Sequence, residues 1–188
     1  MTGPLRLASA SQSRALLLRN AGIDFIQTPL DYDEEQIVAT SPKNFVYQAT
    51  MGKYEAGMAR YGVESHALLV ADSVVTSQGQ ILRKARCVDE ARNILMTQSG
   101  NVTSIVTCMI YHSKTLKLID ISSTDYRFAP FDSEAMEAYL VSGEWRGKAG
   151  ACMVEGFCKP YIRSVRGFES TAMGLNVEVL GAFAGIGQ

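Results

Sequence analysis

The first side chains suited to chemistry form a small-residue loop near the N-terminus. Residues 7–14 read Leu-Ala-Ser-Ala-Ser-Gln-Ser-Arg and lie between a predicted strand and a predicted helix. Free N–H groups at a helix start carry partial positive charge, serine hydroxyls add donors, and an arginine binds oxyanions bidentately. Arg14 opposes the helix dipole unless an anion lies between them. The pattern is typical of a phosphate cradle, and the alternative is an ordinary capped turn with a surface arginine.

Asp72 is the second candidate, because it follows the apolar run Ala-Leu-Leu-Val-Ala at residues 67–71. Such a run predicts a strand covered on both faces, here ending at Asp72 and Ser73. Open α/β sheets bind ligands at the C-terminal ends of their strands, where a partly desolvated aspartate can bind a metal or act as a general base. The alternative is a turn-forming aspartate, which the apolar Val74 and Val75 that follow make less favourable.

Charged residues elsewhere in the chain add weaker candidates. Lys53 lies in a predicted helix, and Lys84 lies within Leu-Arg-Lys-Ala-Arg; either fits a solvated lysine equally well. The acidic cluster at residues 31–35 is typical of a solvated loop, although closely spaced carboxylates are also what a hard divalent cation requires. The glycine-rich segment at residues 143–156 allows close backbone approach to a ligand, and a mobile hairpin loop is the alternative.

The elements that must position these side chains alternate between strands and helices. Ser11, Ser41 and Asp132 are predicted helix caps, and Pro42 is suited to a first helical position. Apolar periodicity predicts strands at residues 5–8, 23–27, 67–71, 102–111, 116–121 and 161–165, and helices at residues 12–22, 42–60, 89–98, 133–141 and 172–183. The order predicts a mixed α/β sheet flanked by helices. Without a linker, the chain is expected to form one domain over residues 1–188, with two lobes around a cleft as the alternative.

Composition and charge argue against nucleic-acid-binding and membrane-spanning proteins. The chain has 188 residues, 18 Lys plus Arg against 19 Asp plus Glu, and 47% hydrophobic residues, which is enough for a compact core. A net charge of −1 gives no global field that would attract nucleic acid. The longest apolar runs fall far short of the roughly 20 residues that span a bilayer. No nucleic-acid partner and no membrane span are therefore expected.

The N-terminus and the cysteines both favour a cytoplasmic protein. The first residues turn polar quickly and lack the apolar stretch of a secretory signal. The four cysteines, at positions 87, 108, 152 and 158, form no Cys-x-x-Cys pair and are expected to be reduced. With two histidines in the whole chain, a His-ligated zinc site is not expected.

In their order along the chain these features resemble the Maf proteins, nucleotide pyrophosphatases once described as septum-formation inhibitors. No single motif is specific, but the likeness is in register over nearly the whole chain. The matching positions are residues 7–14, Asp33-Glu34, Lys53, residues 71–73, residues 83–85, Ser99-Gly100, residues 148–150, Glu155-Gly156 and Gly174-Leu175.

The resemblance implies a Maf/ITPase-like twisted mixed sheet with a central cleft. It also implies hydrolysis of a nucleoside triphosphate between the α- and β-phosphates with a divalent cation, Mg²⁺ or Mn²⁺, and a homodimer. By the resemblance, Asp72 is the proton acceptor and acts with the catalytic lysines Lys53 and Lys84. Glu34 and Asp72 would bind the metal, and the substrate would contact Ser9, Ser11, Ser13, Arg14, Ser73 and Glu155.

Several residues depart from the family pattern, and those at positions 12, 13 and 73 concern the choice of nucleotide. Gln12 replaces the usual proline, Ser13 an arginine or aromatic residue, Ser73 a threonine or glutamine, and Ala85 a proline. With Glu155, the sequence resembles the branch of the family that accepts modified guanine nucleotides. The sequence therefore predicts a cytoplasmic pyrophosphatase that removes non-standard or pyrimidine nucleotides from the pool. The alternatives are a non-catalytic nucleotide-binding regulator of septum formation and an inosine or xanthosine triphosphate pyrophosphatase.

Overall fold

A computed structural model describes residues 4–32, 37 and 41–184, with side chains up to residue 182. Within these residues lie seven strands, six α-helices and one short 3-10 helix. The strands are β1 (Leu5–Leu7), β2 (Phe25–Gln27), β3 (Leu68–Ser77), β4 (Gln80–Leu82), β5 (Val102–His112), β6 (Lys117–Phe128) and β7 (Ile162–Arg166). The α-helices are α1 (Gln12–Asn20), α2 (Pro42–Tyr61), α3 (Val88–Gln98), α4 (Ser133–Ser142), α5 (Glu169–Ala172) and α6 (Val177–Ala184).

The strands form one mixed sheet in the order β2-β1-β3-β5-β6-β7, with β4 paired to β3. Strand β1 runs parallel to both of its neighbours, and Leu7 pairs with Gln27 on one side and Leu69 on the other. The pairs β3–β4 and β6–β7 are antiparallel. The mixed α/β sheet predicted from the sequence is confirmed.

Three helix starts follow the predicted capping residues. The side chains of Ser11, Ser41 and Asp132 accept hydrogen bonds from the backbone N–H groups three residues further along. Such a bond satisfies one of the N–H groups that have no partner inside the helix. The caps therefore fix where α1, α2 and α4 begin.

The structure corrects three of the predicted boundaries. Strand β3 does not end at Asp72 but continues to Ser77, because Val74 and Val75 stay buried. Strand β6 continues beyond the predicted end at residue 121, and every second residue is buried from position 124 to its end at Phe128. The predicted last helix, at residues 172–183, begins only at Val177 as α6, because the chain turns after α5 at Gly174, whose φ of +108° no helical residue adopts. Strand β4 was not predicted.

The chain divides into two compact units. The first comprises the described part of residues 1–73 together with 106–123 and the described part of 168–188. The second comprises residues 74–105 and 124–167. In the described residues, no helix is long and apolar enough to cross a membrane.

In the first unit, β3 is covered on both faces, as its continuous apolar run predicts. Leu69 and Ala71 pack into a cluster with residues of α1, whereas Leu68 and Val70 pack into another cluster with residues of α2. Successive side chains of a strand point to opposite faces, so α1 and α2 cover opposite sides of β3. Asp72 and Ser73 continue this alternation.

The core of the second unit forms around the only tryptophan of the chain. Trp145 is 1% exposed and donates its Nε1–H to the carbonyl oxygen of Leu140 at 3.0 Å. It packs with Leu95 of α3 and Tyr139 of α4, and Tyr139 stacks on Phe157 with 4.5 Å between ring centroids. This buried indole provides a fluorescence signal specific to the second unit.

Candidate functional site

The loop between β1 and α1 is held by its own serines. Ser9 is 9% exposed, and its Oγ accepts from the backbone N–H of Ser11 at 3.2 Å. Ser11 Oγ in turn accepts from the backbone N–H of Arg14 at 3.3 Å. From the neighbouring strand, Gln27 donates its Nε2–H to the Ser9 carbonyl oxygen at 2.9 Å, a contact that sequence reasoning missed. These hydrogen bonds restrict the conformation of the loop.

Arg14 connects three segments of the first unit. Its Nη1 donates to Ser9 Oγ at 3.2 Å and its Nη2 to Ser73 Oγ on β3 at 3.3 Å. Its Nε donates to the carbonyl oxygen of Gly174 at 3.0 Å, across 160 positions of sequence. Arg14 is half-buried, unlike the surface arginine that the capped-turn alternative requires. A guanidinium with its plane fixed in this way is suited to bind an oxyanion.

A buried ion pair lies on the other face of β3. Lys53 Nζ of α2 is 2.7 Å from Asp72 Oδ1, and the two side chains are 14% and 8% exposed. Because Asp72 points to the side of β3 that α2 covers, the pleat itself brings the carboxylate to the lysine. Burying such a pair gains little net stability, since desolvation offsets most of the attraction. A buried pair of this kind is therefore weak evidence for a stabilising role.

Asp72 and Ser73 are adjacent in sequence but contact different positively charged side chains. Asp72 reaches Lys53 and Ser73 reaches Arg14, because consecutive residues of a strand point to opposite faces. Leu7 pairs with Leu69, so β3 continues past the end of β1 to the level of the loop that carries Ser9. The structure thus brings Ser9, Ser11 and Arg14 to the same stretch of β3 as Asp72 and Lys53.

Comparison with known proteins decides the family. Over residues 4–183 the sequence matches the family model described as Maf-like protein. The chain belongs to the Maf-like family. A protein of a Nitratiruptor species named nucleoside triphosphate pyrophosphatase is 54% identical over 182 residues, which cover 96% of this chain and 98% of the relative.

Two further relatives carry the same name. The protein of Helicobacter pylori (strain J99) is 42% identical over 179 residues, covering 95% of this chain and 94% of the relative. The protein of Campylobacter jejuni (strain 81-176) is 36% identical over 181 residues, covering 95% and 99%. The resemblance predicted from the order of the motifs is confirmed, and the likeness extends over nearly the whole length of these relatives.

The remaining predicted residues of the Maf-like chain are exposed, belong to the second unit or lie outside the described residues. Ser13 is exposed in the first turn of α1. Lys84 and Glu155 belong to the second unit, where both are exposed and Lys84 forms an isolated bridge with Ala149. Glu34, predicted as a metal ligand, lies outside the described residues.

Among the described residues, no group of three or more His, Cys, Asp or Glu side chains could hold a metal ion. A single carboxylate is nevertheless compatible with Mg²⁺, which proteins commonly bind through one or two carboxylates together with substrate phosphates and water. Asp72 fits that pattern, because its carboxylate is buried beside the segment that carries the serine loop. The donor set is therefore suited to a metal that arrives with its substrate.

Proposed function

We propose that this Maf-like protein is a nucleoside triphosphate pyrophosphatase that hydrolyses its substrate between the α- and β-phosphates. The products are a nucleoside monophosphate and pyrophosphate. The observation that carries the proposal is the Lys53–Asp72 pair at 2.7 Å, buried on the strand that also binds Arg14. The names of the relatives, which cover nearly the whole chain, support the same activity.

Positioning and charge account for the reaction in this proposal. Transfer of phosphoryl-type groups requires little covalent chemistry from the protein, so fixed cations and an in-line water suffice. Ser9, Ser11 and Arg14 hold the phosphate oxygens, and Lys53 offsets the charge that develops on them. Asp72 accepts the proton of the attacking water. Lys53 holds the Asp72 carboxylate through a charge-assisted hydrogen bond, which limits its rotation.

A divalent cation, Mg²⁺ or Mn²⁺, belongs to the proposal. When bound, it would neutralise phosphate charge and polarise the phosphorus centre. Asp72 is the described residue suited to hold it, and Glu34 is the second carboxylate that the family resemblance implies. The resemblance also assigns Lys84 to catalysis and Ser13, Ser73 and Glu155 to the substrate.

The cellular location, the oligomeric state and the nucleotides removed are proposed from the sequence and the family resemblance. We expect a cytoplasmic homodimer that removes non-standard or pyrimidine nucleotides from the pool. Sedimentation of the purified protein at several concentrations measures the dimer directly. A protein that sediments as a monomer at all of them would contradict this part of the proposal alone.

The activity is tested with a panel of pyrimidine, modified guanine and deaminated purine triphosphates, with and without Mg²⁺. We expect pyrophosphate as the first product and, for Asp72→Asn, a rate lower by about 10²- to 10³-fold, equivalent to about 2.7–4 kcal/mol. Asp125→Asn is the matched control, since Asp125 is a half-buried aspartate inside β6. Its activity should equal that of the wild type.

The same panel separates the alternatives. Orthophosphate as the first product, or an unimpaired Asp72→Asn variant, contradicts the proposed mechanism. Tight nucleotide binding without metal-dependent hydrolysis favours the non-catalytic regulator of septum formation. Preference for the deaminated purines favours an inosine or xanthosine triphosphate pyrophosphatase.

A further inference from the structure

A chain of hydroxyl groups runs from Arg14 into the core of the first unit. Arg14 Nη2 is 3.3 Å from Ser73 Oγ, and Ser73 Oγ is 2.8 Å from Thr107 Oγ1 on β5. Thr107 Oγ1 is 2.7 Å from the backbone carbonyl oxygen of Thr171 in α5. Thr107 and Thr171 are 1% and 0% exposed, so solvent does not replace these contacts.

The direction of every hydrogen bond in this chain is determined. The carbonyl oxygen of Thr171 can only accept, so Thr107 donates its single hydroxyl proton there. Thr107 must then accept from Ser73, which commits the Ser73 proton as well. Ser73 Oγ therefore presents lone pairs, and the guanidinium of Arg14, which can only donate, is its complementary partner.

We infer that Thr107 is a positioning residue, which acts through Ser73 to orient the Arg14 guanidinium in the phosphate cradle. This inference rests on the proposed pyrophosphatase function. It also changes the role expected for Ser73, because a serine whose proton is committed to Thr107 is no hydrogen-bond donor to a substrate. Ser73 and Thr107 thus define one relay, Arg14 to Ser73 to Thr107 to the Thr171 carbonyl.

The backbone around the relay reinforces this orientation. The segment that supplies the Thr171 carbonyl oxygen also supplies the Gly174 carbonyl oxygen, which accepts from Arg14 Nε at 3.0 Å. Arg14 is therefore fixed twice to the same segment, once directly and once through the two hydroxyls. Thr107 suits the task, because a β-branched side chain in a strand has a restricted χ1 and holds its hydroxyl in place.

The activity test compares Thr107→Val, which keeps the side-chain shape but removes the hydroxyl, with Thr107→Ser, which keeps the hydroxyl. A displacement of roughly 1 Å in a catalytic group can lower the rate about 10²-fold. Because other hydrogen bonds still hold Arg14, we expect Thr107→Val to lower kcat/KM by about tenfold, mainly through kcat. Thr107→Ser should restore most of that loss. Wild-type kcat/KM in Thr107→Val would overturn the inference.

Two further variants separate positioning from general destabilisation. In an Arg14→Lys background, Thr107→Val should have no additional effect on kcat, since the group that it positions is absent. The matched control is Ser77→Ala, also in β3, where a 2% exposed hydroxyl donates to the Val102 carbonyl oxygen at 2.8 Å. It should lower the melting temperature and leave kcat/KM unchanged. A further loss in the Arg14→Lys background would contradict the relay.

An NMR measurement tests the relay without activity. The side-chain Nε–H resonance of Arg14, identified by its loss in Arg14→Lys, should shift in Thr107→Val and return in Thr107→Ser. If Thr107→Val does not fold, Thr107→Ala, which also lacks the hydroxyl, should give the same shift. An unchanged Arg14 resonance overturns the inference, whereas a wild-type protein that releases no pyrophosphate contradicts only the proposed function.

Discussion

Gly174 should support activity through its contact with Arg14. Its φ of +108° is strained for any L side chain, and a Cβ added there would lie 3.0 Å from Arg14 Nε and 3.5 Å from Nη2. Since non-bonded heavy atoms prefer about 3.5 Å or more, Arg14 must move by about 0.5 Å in Gly174→Ala. A shift of roughly 1 Å in a catalytic group lowers a rate about 10²-fold. If the activation free energy rises in proportion to the shift, a displacement of about 0.5 Å lowers the rate about tenfold.

Gly22→Ala provides the matched control for that variant. Gly22 also has a positive φ, +67°, but a Cβ at this position would meet nothing within 4 Å. Both variants should lose about 1–3 kcal/mol of folding free energy from backbone strain. Pyrophosphate release, normalised to the folded fraction measured by circular dichroism, should fall about tenfold in Gly174→Ala alone. Equal activities per folded molecule in the two variants would refute the reasoning.

Two further predictions concern packing and pH. A Cβ at Gly150 would lie 2.7 Å from Val75 Cγ1, whereas one at Gly147 in the same loop would meet nothing within 4 Å. Gly150→Ala should therefore be less stable than Gly147→Ala by about 1–3 kcal/mol, measured by urea unfolding of Trp145 fluorescence, and equal midpoints would refute the contact. Burial raises the pKa of the Cys108 thiol to about 11, so the folded state keeps a proton that the unfolded state releases. The free energy of unfolding should therefore fall by about 2–3 kcal/mol, from this group, as pH rises from about 9 to about 11. A Cys108→Ala variant whose free energy of unfolding has the same pH slope as the wild type would contradict this.

Some features of the site could be predicted from the sequence because they depend on neighbours within a few positions. Ser11, Ser41 and Asp132 each cap a helix through a hydrogen bond that spans three residues. The apolar run before Asp72 correctly predicts that both faces of β3 are covered, since such a pattern depends only on the residues of the strand itself.

Other features were mispredicted because distant parts of the chain determine them. The apolar pattern at residues 172–183 favours one helix, but the backbone turns at Gly174, where Arg14 binds the carbonyl oxygen. Asp72 was expected at a strand end, yet pairing with β4 further along keeps β3 extended to Ser77. Thr107 gave no local signal, because its polar partners come from β3 and α5.

The sequence by itself determined the family, the helix caps and the residue types of the proposed phosphate-binding site. Only the tertiary structure decided which groups meet: Arg14 contacts Gly174 across 160 positions, and the pleat of β3 assigns Asp72 to Lys53 and Ser73 to Arg14. The physical reason is the distance along the sequence over which each interaction acts. Caps and periodicity are set by neighbouring backbone groups, whereas the partner of a buried polar side chain is whichever element the fold packs against it.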